Sequence, residues 1–279
     1  MDWDDHRRFV TIAGSRVNVV EIGSGPPLVF VHGLGGSWTN WLENICEFAA
    51  DHRVVAFDLP GFGASESPRE PVSIAGYART LEQLFEALAI ERAPVVGNSL
   101  GGLVSAEFTL TFPHRVERLC LVAAAGLSIA RLPIEPALRA LVPLERVVSF
   151  YGSMIAARSA PLARRARLRR LLLWHAFAHP ERLPAPLAAE VIAGAGRPSL
   201  LPGLRALAAW PHRDRLGEIA CPTLIVWGGS DRLVPVRDAD EFERRIPRSR
   251  KVIYPDTGHV PEIERPACFN EDLRAFLHG

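Results

Sequence analysis

The chain has 279 residues, 48% of them hydrophobic and 23% charged, which is typical of one compact domain with a sizeable core. Its 32 basic and 31 acidic residues leave a formal charge of +1, so the overall charge gives no indication of a nucleic-acid partner. Four widely spaced cysteines form no C-x-x-C pair, and the acidic N-terminus lacks the apolar run of a secretory signal. No run reaches the ~18–20 apolar residues of a membrane span. We therefore predict a cytoplasmic monomer or homodimer that has no transmembrane segment and needs no metal or cofactor.

Short apolar runs alternate with helix-like segments along most of the chain. The runs are wholly apolar where a strand is expected to be covered on both faces. Predicted strands lie at residues 8–12, 16–22, 28–31, 53–57, 94–97, 118–125, 223–227 and 251–254. Predicted helices cover residues 38–50, 73–88, 103–111, 236–246 and 261–278. Strands separated by helices imply right-handed crossovers, so we predict an α/β protein with a mainly parallel sheet that has an antiparallel start.

The regular alternation lapses between residues 127 and 210, which are rich in Pro, Ala, Leu and Arg. Prolines separate short helix-forming pieces here, and we predict a helical cap inserted into a core formed by residues 1–126 and 211–279. Within the cap, a run of arginines from Arg164 to Arg170 is followed by Leu171-Leu172-Leu173-Trp174. A solvated helix face is the favoured interpretation of this basic stretch, and the alternative is a surface that docks on anionic lipid or attracts an acidic substrate.

A serine flanked by glycines stands between a predicted strand and a predicted helix. The segment is Pro94-Val95-Val96-Gly97-Asn98-Ser99-Leu100-Gly101-Gly102. A serine at the apex of so tight a turn has a strained backbone, and its neighbours two residues away must lack bulk so that strand and helix can approach. G-x-S-x-G in this context is the pattern of a serine nucleophile, with the Leu100 backbone N–H placed to face a developing anion.

Two further strand ends carry the groups that such a serine needs. A serine hydroxyl is a poor nucleophile at neutral pH without a base, usually a histidine that a carboxylate orients. In open parallel sheets these groups gather at the carboxyl ends of the strands. Asp231 follows the strand predicted at 223–227, and His259 follows the strand predicted at 251–254. Asp256 shares the histidine's loop and cannot easily approach from behind the ring, so Asp231 is the predicted partner of His259.

Five segments in this order resemble the α/β-hydrolase fold superfamily. They are His32-Gly33-Leu34-Gly35-Gly36, Asp58-Leu59-Pro60-Gly61-Phe62-Gly63, Gly97-Asn98-Ser99-Leu100-Gly101-Gly102, Trp227-Gly228-Gly229-Ser230-Asp231 and Gly258-His259. The resemblance implies an eight-stranded sheet with a helical cap after the sixth strand. It implies Ser99 as nucleophile, His259 as general base and then acid, and Asp231 as the residue that orients His259. It also implies an oxyanion hole formed by the backbone N–H groups of Leu34 and Leu100.

Other residues near these motifs receive different interpretations. His32 and Asp58 also follow strands, and we predict that they hold loops in place rather than react. Trp38, Asn98 and Trp174 are the predicted substrate-binding residues. Ordinary core packing is an equally good explanation for the two tryptophans.

The leading hypothesis is a serine hydrolase that cleaves a carboxylic ester of a small apolar molecule through an acyl-enzyme. Asn98 supports an alternative, because Gly97-Asn98-Ser99-x-Gly101-Gly102 is similar to the carbon–carbon hydrolases that act on ring-fission products of aromatic compounds. Val260 stands where those enzymes commonly have tryptophan, which places this ketone-cleaving alternative second. A slow-turnover ligand receptor of the same fold is the weakest hypothesis. The carbon–carbon hydrolases use a cap arginine, for which this chain offers Arg131, Arg139, Arg146 and Arg158 among others.

Overall fold

The computed structural model describes residues 2–128 and 145–279, and eight strands within them form a single sheet. Every predicted strand is present, with its ends within a few residues of the predicted ones. The strands are Arg7–Ile12 (β1), Ser15–Ile22 (β2), Pro27–Val31 (β3), Arg53–Phe57 (β4), Ala93–Asn98 (β5), Val116–Val122 (β6), Thr223–Gly228 (β7) and Ser249–Tyr254 (β8).

Helices connect the strands and cover the sheet. The α-helices are Leu42–Phe48 (α1), Ile74–Ala87 (α2), Leu100–Thr111 (α3), Glu145–Ala156 (α4), Ser159–Ala163 (α5), Ala166–Leu173 (α6), Ala185–Ala193 (α7), Leu200–Ala208 (α8), Arg237–Arg245 (α9), Pro261–Glu264 (α10) and Pro266–His278 (α11). Short 3-10 helices lie at Trp3–His6, Trp38–Trp41, Pro113–Arg115, Pro180–Arg182, Gly194–Gly196 and His212–Glu218. No helix in residues 2–128 and 145–279 is long and apolar enough to cross a membrane.

Two predicted helices are interrupted. The segment predicted as a helix over 38–50 starts with a 3-10 turn capped by Ser37, and its α-helical part begins only at Leu42. The helix predicted over 261–278 is divided into α10 and α11. Arg265 precedes Pro266, and the proline ring pushes the residue before it out of the helical conformation, to φ −134° and ψ 53°.

The sheet has the order β1-β2-β4-β3-β5-β6-β7-β8, and it is mostly parallel. Only β1 with β2 and β2 with β4 pair antiparallel, as predicted for the start of the sheet. The central strands are buried on both faces: in β3, Val29 and Val31 pack in one core cluster, and Leu28 and Phe30 pack in the other. Alternate side chains of a strand point to opposite faces, which is why these strands are wholly apolar.

The chain between β6 and β7, residues 127–210, is called the insertion here, and its described part is helical. A third apolar cluster joins it to the chain that follows β8. In that cluster Phe177 and Ile192 of the insertion pack with Val260 and Ile263. The insertion therefore lies against the loop that carries His259, although its separation as a cap from residues 1–126 and 211–279 stays a prediction.

Candidate active site

Ser99 occupies the sharp turn between β5 and α3. Its backbone has φ 53° and ψ −113°, a strained conformation for a residue with a side chain. The turn is held from the neighbouring strand, because Ser99 N donates to Val122 O at 2.9 Å and Ala125 N donates to Ser99 O at 3.1 Å. The side chain is nearly covered, with 8% of the residue exposed. The sheet thus maintains the strain that presents the hydroxyl.

The glycines of this turn are required by close backbone contacts. A Cβ atom at Gly97 would lie 2.3 Å from Gly101 O, and one at Gly101 would lie 2.2 Å from Val31 O. Both distances are far inside van der Waals contact, and the atoms met are backbone atoms that cannot move aside. The structural reason for the G-x-S-x-G spacing is therefore the approach of α3 to β5 and β3.

Asp231 and His259 meet across the ends of β7 and β8. His259 Nδ1 and Asp231 Oδ2 are 2.8 Å apart, and the Asp231 side chain is completely buried. The other carboxylate oxygen, Oδ1, accepts from Leu233 N at 2.8 Å and Val234 N at 2.9 Å. Two backbone donors therefore fix the carboxylate, which in turn fixes the ring. With the Nδ1 proton directed at Asp231, Nε2 of His259 is the nitrogen free to accept a proton.

The loop of His259 is tied both to the serine turn and to the insertion. Asn98 Nδ2 donates to His259 O at 3.2 Å and to Val122 O at 3.3 Å. His259 N donates to Ala176 O of the insertion at 2.7 Å. The three sequence-predicted residues Ser99, Asp231 and His259 are thus carried on mutually bonded loops, and their catalytic roles stay predictions.

The loop after β3, which carries Leu34, passes directly beside the serine. A Cβ atom at Gly33 would lie 3.1 Å from Ser99 Cβ. Leu100 begins α3, and N–H groups in the first turn of a helix have no partner within the helix. Both predicted oxyanion-hole donors are therefore on segments next to Ser99. That they bind an oxyanion stays a prediction.

His32 holds this loop in place. Its Nε2 accepts from Leu59 N at 2.9 Å, so Nδ1 carries the proton and donates to Gly33 O at 2.7 Å. Complete burial lowers the pKa of His32, an effect that the negative charge of Asp58 opposes. Asp58 accepts from Asn18 Nδ2, Trp38 N and Ala64 N, each at 2.8 Å. The contacts of both residues agree with the predicted loop-holding role.

The contacts of the three predicted substrate-binding residues are known, and their binding role stays a prediction. The ring of Trp38 packs 5.0 Å from that of Trp3 and belongs to a core cluster. The Asn98 amide donates both of its bonds to backbone carbonyls, and only 2% of the residue is exposed. Trp174 is 54% exposed, with the guanidinium of Arg232 5.9 Å from its ring centroid. The described contacts thus give a core position to Trp38, a structural amide to Asn98 and a surface position to Trp174.

Glu264 is a residue of this site that sequence reasoning missed. Its carboxylate accepts from Gly258 N at 2.7 Å, Ala178 N at 2.8 Å and His179 N at 3.4 Å, joining the histidine loop to the insertion. Burial raises the pKa of Glu264, and the three backbone donors oppose that effect. In the sequence, Glu264 is visible only as a glutamate shortly after His259. Its role cannot be recognised without the position of the insertion, which supplies two of its three backbone donors.

A second missed residue is Arg197, in the insertion. Its Nη1 donates to Gly63 O at 2.7 Å, and its Nε is buried without a hydrogen-bond partner. It lies close enough to His32 for its charge to lower the pKa of that residue, as a minor contribution beside burial. Among the arginines named from the sequence, Arg158 is exposed, whereas Arg131, Arg139 and the side chain of Arg146 lie outside the described residues.

Ser99 lies on a strained strand–helix turn, and the buried His259–Asp231 pair lies at two later strand ends. Serine hydrolases of the α/β class use this arrangement. The chain order, with Ser99 first, Asp231 second and His259 last, is the order of that class. Comparisons with known proteins support the α/β-hydrolase fold.

A family model described as the alpha/beta hydrolase fold matches residues 26–266. An uncharacterized protein of Mycobacterium tuberculosis is 34% identical over 97% of this chain and 80% of its own length. The 2-hydroxy-6-oxo-2,4-heptadienoate hydrolase of Pseudomonas putida is 30% identical over 97% of this chain and 95% of its own length. Among solved structures, a membrane phospholipase A described as a bacterial virulence factor superposes with a TM-score of 0.77 at 28% identity, over 98% of this chain and 86% of that chain. The chain belongs to the α/β hydrolase fold family.

Proposed function

We propose that this protein hydrolyses a carboxylic ester of an apolar acid through a covalent acyl-enzyme on Ser99. The observation that carries the proposal is the 2.8 Å bond from His259 Nδ1 to the buried Asp231 carboxylate. It leaves Nε2 as the acceptor for the Ser99 proton and stabilises the imidazolium that forms.

In the proposed reaction, Ser99 Oγ attacks the ester carbonyl carbon and its proton passes to His259. The carbonyl oxygen becomes an oxyanion that accepts from the N–H groups of Leu34 and Leu100, and loss of one such donor typically costs about 10²–10³ in kcat. The alkoxide then leaves with the His259 proton as an alcohol. Water gives a proton to His259 while its oxygen attacks the acyl carbon. The bond from that carbon to Ser99 Oγ then breaks, His259 passes the proton to Ser99 Oγ, and the acid is released.

An apolar acid is proposed because the side chains around the Leu34 loop are apolar. The loop and the first turn of α3 are covered by helix α8, whose Gly203 faces Leu34, Phe62 and Leu100. Leu200 of the same helix approaches Gly35, since a Cβ atom there would lie 3.4 Å from Leu200 Cδ1. Such surroundings favour an alkyl chain over a charged one.

Pre-steady-state hydrolysis of p-nitrophenyl esters from acetyl to decanoyl tests the proposal. We expect a burst of nitrophenol equal to the enzyme concentration, followed by steady turnover that favours one chain length. A burst with almost no later turnover would indicate a receptor-like protein instead. No burst with any chain length would contradict the acyl-enzyme.

Carbon–carbon cleavage of a dienoate ketone is the second candidate, and Arg197 is the observation that favours it. A buried guanidinium N–H without a partner is costly, and a substrate carboxylate is a suitable acceptor for it. The Pseudomonas putida relative is named as a hydrolase of such a dienoate, over 95% of its length. The same serine, histidine and aspartate serve this reaction, with a carbon leaving group in place of the alcohol.

Arg197→Gln separates the two candidates. If the substrate is a dienoate, we expect the KM for a dienol-ketone ring-fission product to rise about 10-fold or more, because a charge-assisted bond is lost. Ester turnover is expected to change little. Arg158→Gln, which alters an exposed arginine of the insertion, is the matched control. Rapid ester turnover with no cleavage of the ketone would exclude the second candidate.

A further inference from the structure

Helix α6 in the insertion has an outer face that the reaction does not use. Arg167, Arg170, Leu171 and Trp174 follow one another at helical spacings of three, one and three residues, so their side chains share one face. Both arginines are exposed, and Leu171 and Trp174 are 68% and 54% exposed. Leu171 is the most exposed large apolar side chain among the described residues, and it shares this face with the two exposed arginines.

The opposite face of α6 accounts for its attachment to the protein. Leu173 is buried in the apolar cluster of the insertion, and Leu172 packs against that cluster. Arg169 donates to Ala163 O at 2.6 Å and to Glu181 O at 2.7 Å, so this arginine is used in the fold. Within the described residues, Arg167 and Arg170 make no ion pair or hydrogen bond. The outer face is therefore not needed to hold the helix.

A third arginine completes this surface. Arg232 lies beside the ring of Trp174 and donates to Trp174 O at 2.7 Å. The three arginines, with Leu171 and Trp174, line a concavity of about 560 Å³ that also includes Ala178 and Pro180 and contains neither Ser99 nor His259. Two acids lie near this surface and both pair with His179: Glu181 at 3.5 Å and Asp256 at 2.8 Å. A backbone hydrogen bond lowers the pKa of Glu181, and the charge of Arg170 also helps to lower it. The surface thus combines three guanidinium groups with two protruding apolar side chains.

We propose that this face, Arg167, Arg170, Leu171, Trp174 and Arg232, docks on an anionic lipid surface. Guanidinium groups pair bidentately with the phosphate oxygens of lipid headgroups, and the leucine and tryptophan enter the headgroup–acyl boundary. The charge complementarity favours an anionic bilayer over a second copy of the chain, whose formal charge of +1 offers no compensating excess of acid. The proposal does not depend on which bond the enzyme cleaves.

Flotation with vesicles tests the docking face independently of catalysis. The protein carries Ser99→Ala so that turnover plays no part, and the vesicles are pure phosphatidylcholine or contain about one third phosphatidylglycerol. We expect binding to the anionic vesicles only, weakened by salt because the Debye length shortens. Arg167→Gln with Arg170→Gln is expected to lower the partition coefficient about 25-fold, or about fivefold for each charge. Leu171→Ser is expected to weaken binding further.

The matched control removes two exposed arginines at the other edge of the sheet. Arg92 and Arg248 precede the parallel strands β5 and β8, so Arg92→Gln with Arg248→Gln changes the net charge equally without touching the face. Equal loss in this control, or equal binding to both vesicle types, would overturn the proposal. Full displacement by millimolar glycerol phosphate would indicate a soluble phosphate ligand instead. A dimer in sedimentation that Leu171→Ser disrupts would identify a second copy as the occupant, and this too would overturn it.

Discussion

Hydrogen bonds hold both the strand-end loops and the insertion, but the insertion also relies on close backbone packing across glycines. In the loops, nearly every polar group that positions Ser99 or His259 is bonded to a defined backbone atom, such as Val122 O for the serine turn. The insertion meets the same loops where small residues let backbones touch. A Cβ atom at Gly194 would lie 2.0 Å from Gly35 O, and one at Gly258 would lie 2.6 Å from Ala176 O.

This difference in contacts predicts different effects of substitution in the two regions. Strand ends and hydrogen bonds determine where the candidate catalytic groups lie, so we expect a change there to remove activity outright. The insertion depends in addition on close steric fit, so we expect a change there to alter the rate and the choice of substrate by smaller amounts. Substitutions at Ser99, Asp231, Gly194 and Glu262 should reduce turnover to a decreasing extent in that order.

Replacing Ser99 with alanine should remove nearly all turnover. The triad acts as a unit, and loss of its nucleophile costs on the order of 10⁶ in kcat. Steady-state hydrolysis of the preferred p-nitrophenyl ester measures this. Ser153→Ala, on the exposed part of α4, should keep wild-type activity. Substantial turnover by a folded Ser99→Ala protein would show that the reaction takes place elsewhere.

Asp231→Asn should lower kcat by about 10⁴, because an amide no longer selects the His259 tautomer with its proton on Nδ1. The side chain keeps an oxygen for Leu233 N and Val234 N, so we expect the fold to persist. Asp256→Asn is the control, since Asp256 shares the histidine loop but pairs with His179 at 2.8 Å. If both variants lost activity equally, the carboxylate assignment would be wrong.

Gly194→Ala should displace the insertion from the Leu34 loop. The new methyl group meets Gly35 O, a backbone atom, and overpacking of this kind costs about 1–3 kcal/mol. We expect lower thermal stability and a changed ratio of kcat/KM between short and long acyl chains. Gly217→Ala is the control, because its nearest neighbour is Arg245 O at 3.7 Å. An unchanged chain-length profile in Gly194→Ala would mean that the insertion does not set specificity.

Glu262→Gln should have the smallest effect on turnover, and its consequence should be a change in how stability depends on pH. Both carboxyl oxygens are buried without partners, and complete burial raises the pKa of Glu262 well above the ordinary 4.5. The folded chain therefore binds the proton more tightly than the unfolded chain does. The protonated Glu262 carboxyl therefore makes its full contribution to stability below pH 4.5, and this contribution is lost as the pH rises through the folded-state pKa.

Urea unfolding from pH 4.5 to 8 checks this prediction. Relative to Glu262→Gln, the wild-type free energy of unfolding should fall with rising pH, by at most about 1.4 kcal/mol per pH unit. Glu271→Gln, an exposed site on α11, should follow the wild type. Parallel curves for wild type and Glu262→Gln would show that Glu262 has the same pKa in both states.

The central fold and the three candidate catalytic residues were accessible from the sequence because their signals are local. A buried parallel strand is apolar on both faces, so it is visible as an uninterrupted run, and a tight strand–helix turn demands glycine at defined positions. The break between α10 and α11 was not predicted, because the helical pattern of residues 261–278 continues on both sides of Pro266.

Asp231 and His259 are 28 positions apart, and Ser99 is more than a hundred positions before either. All three follow parallel strands of one sheet, so they lie at the edge where the carboxyl ends of those strands meet. Local signals in the sequence therefore define the sheet, the serine turn and the chain order of the candidate catalytic groups. The folded structure was needed to find the backbone partners of the Asn98 amide, the core packing of Trp38 and the contacts that Glu264 and Arg197 make with the loops. Those roles depend on how the insertion packs on the loops, and non-local side-chain packing has no fixed sequence spacing.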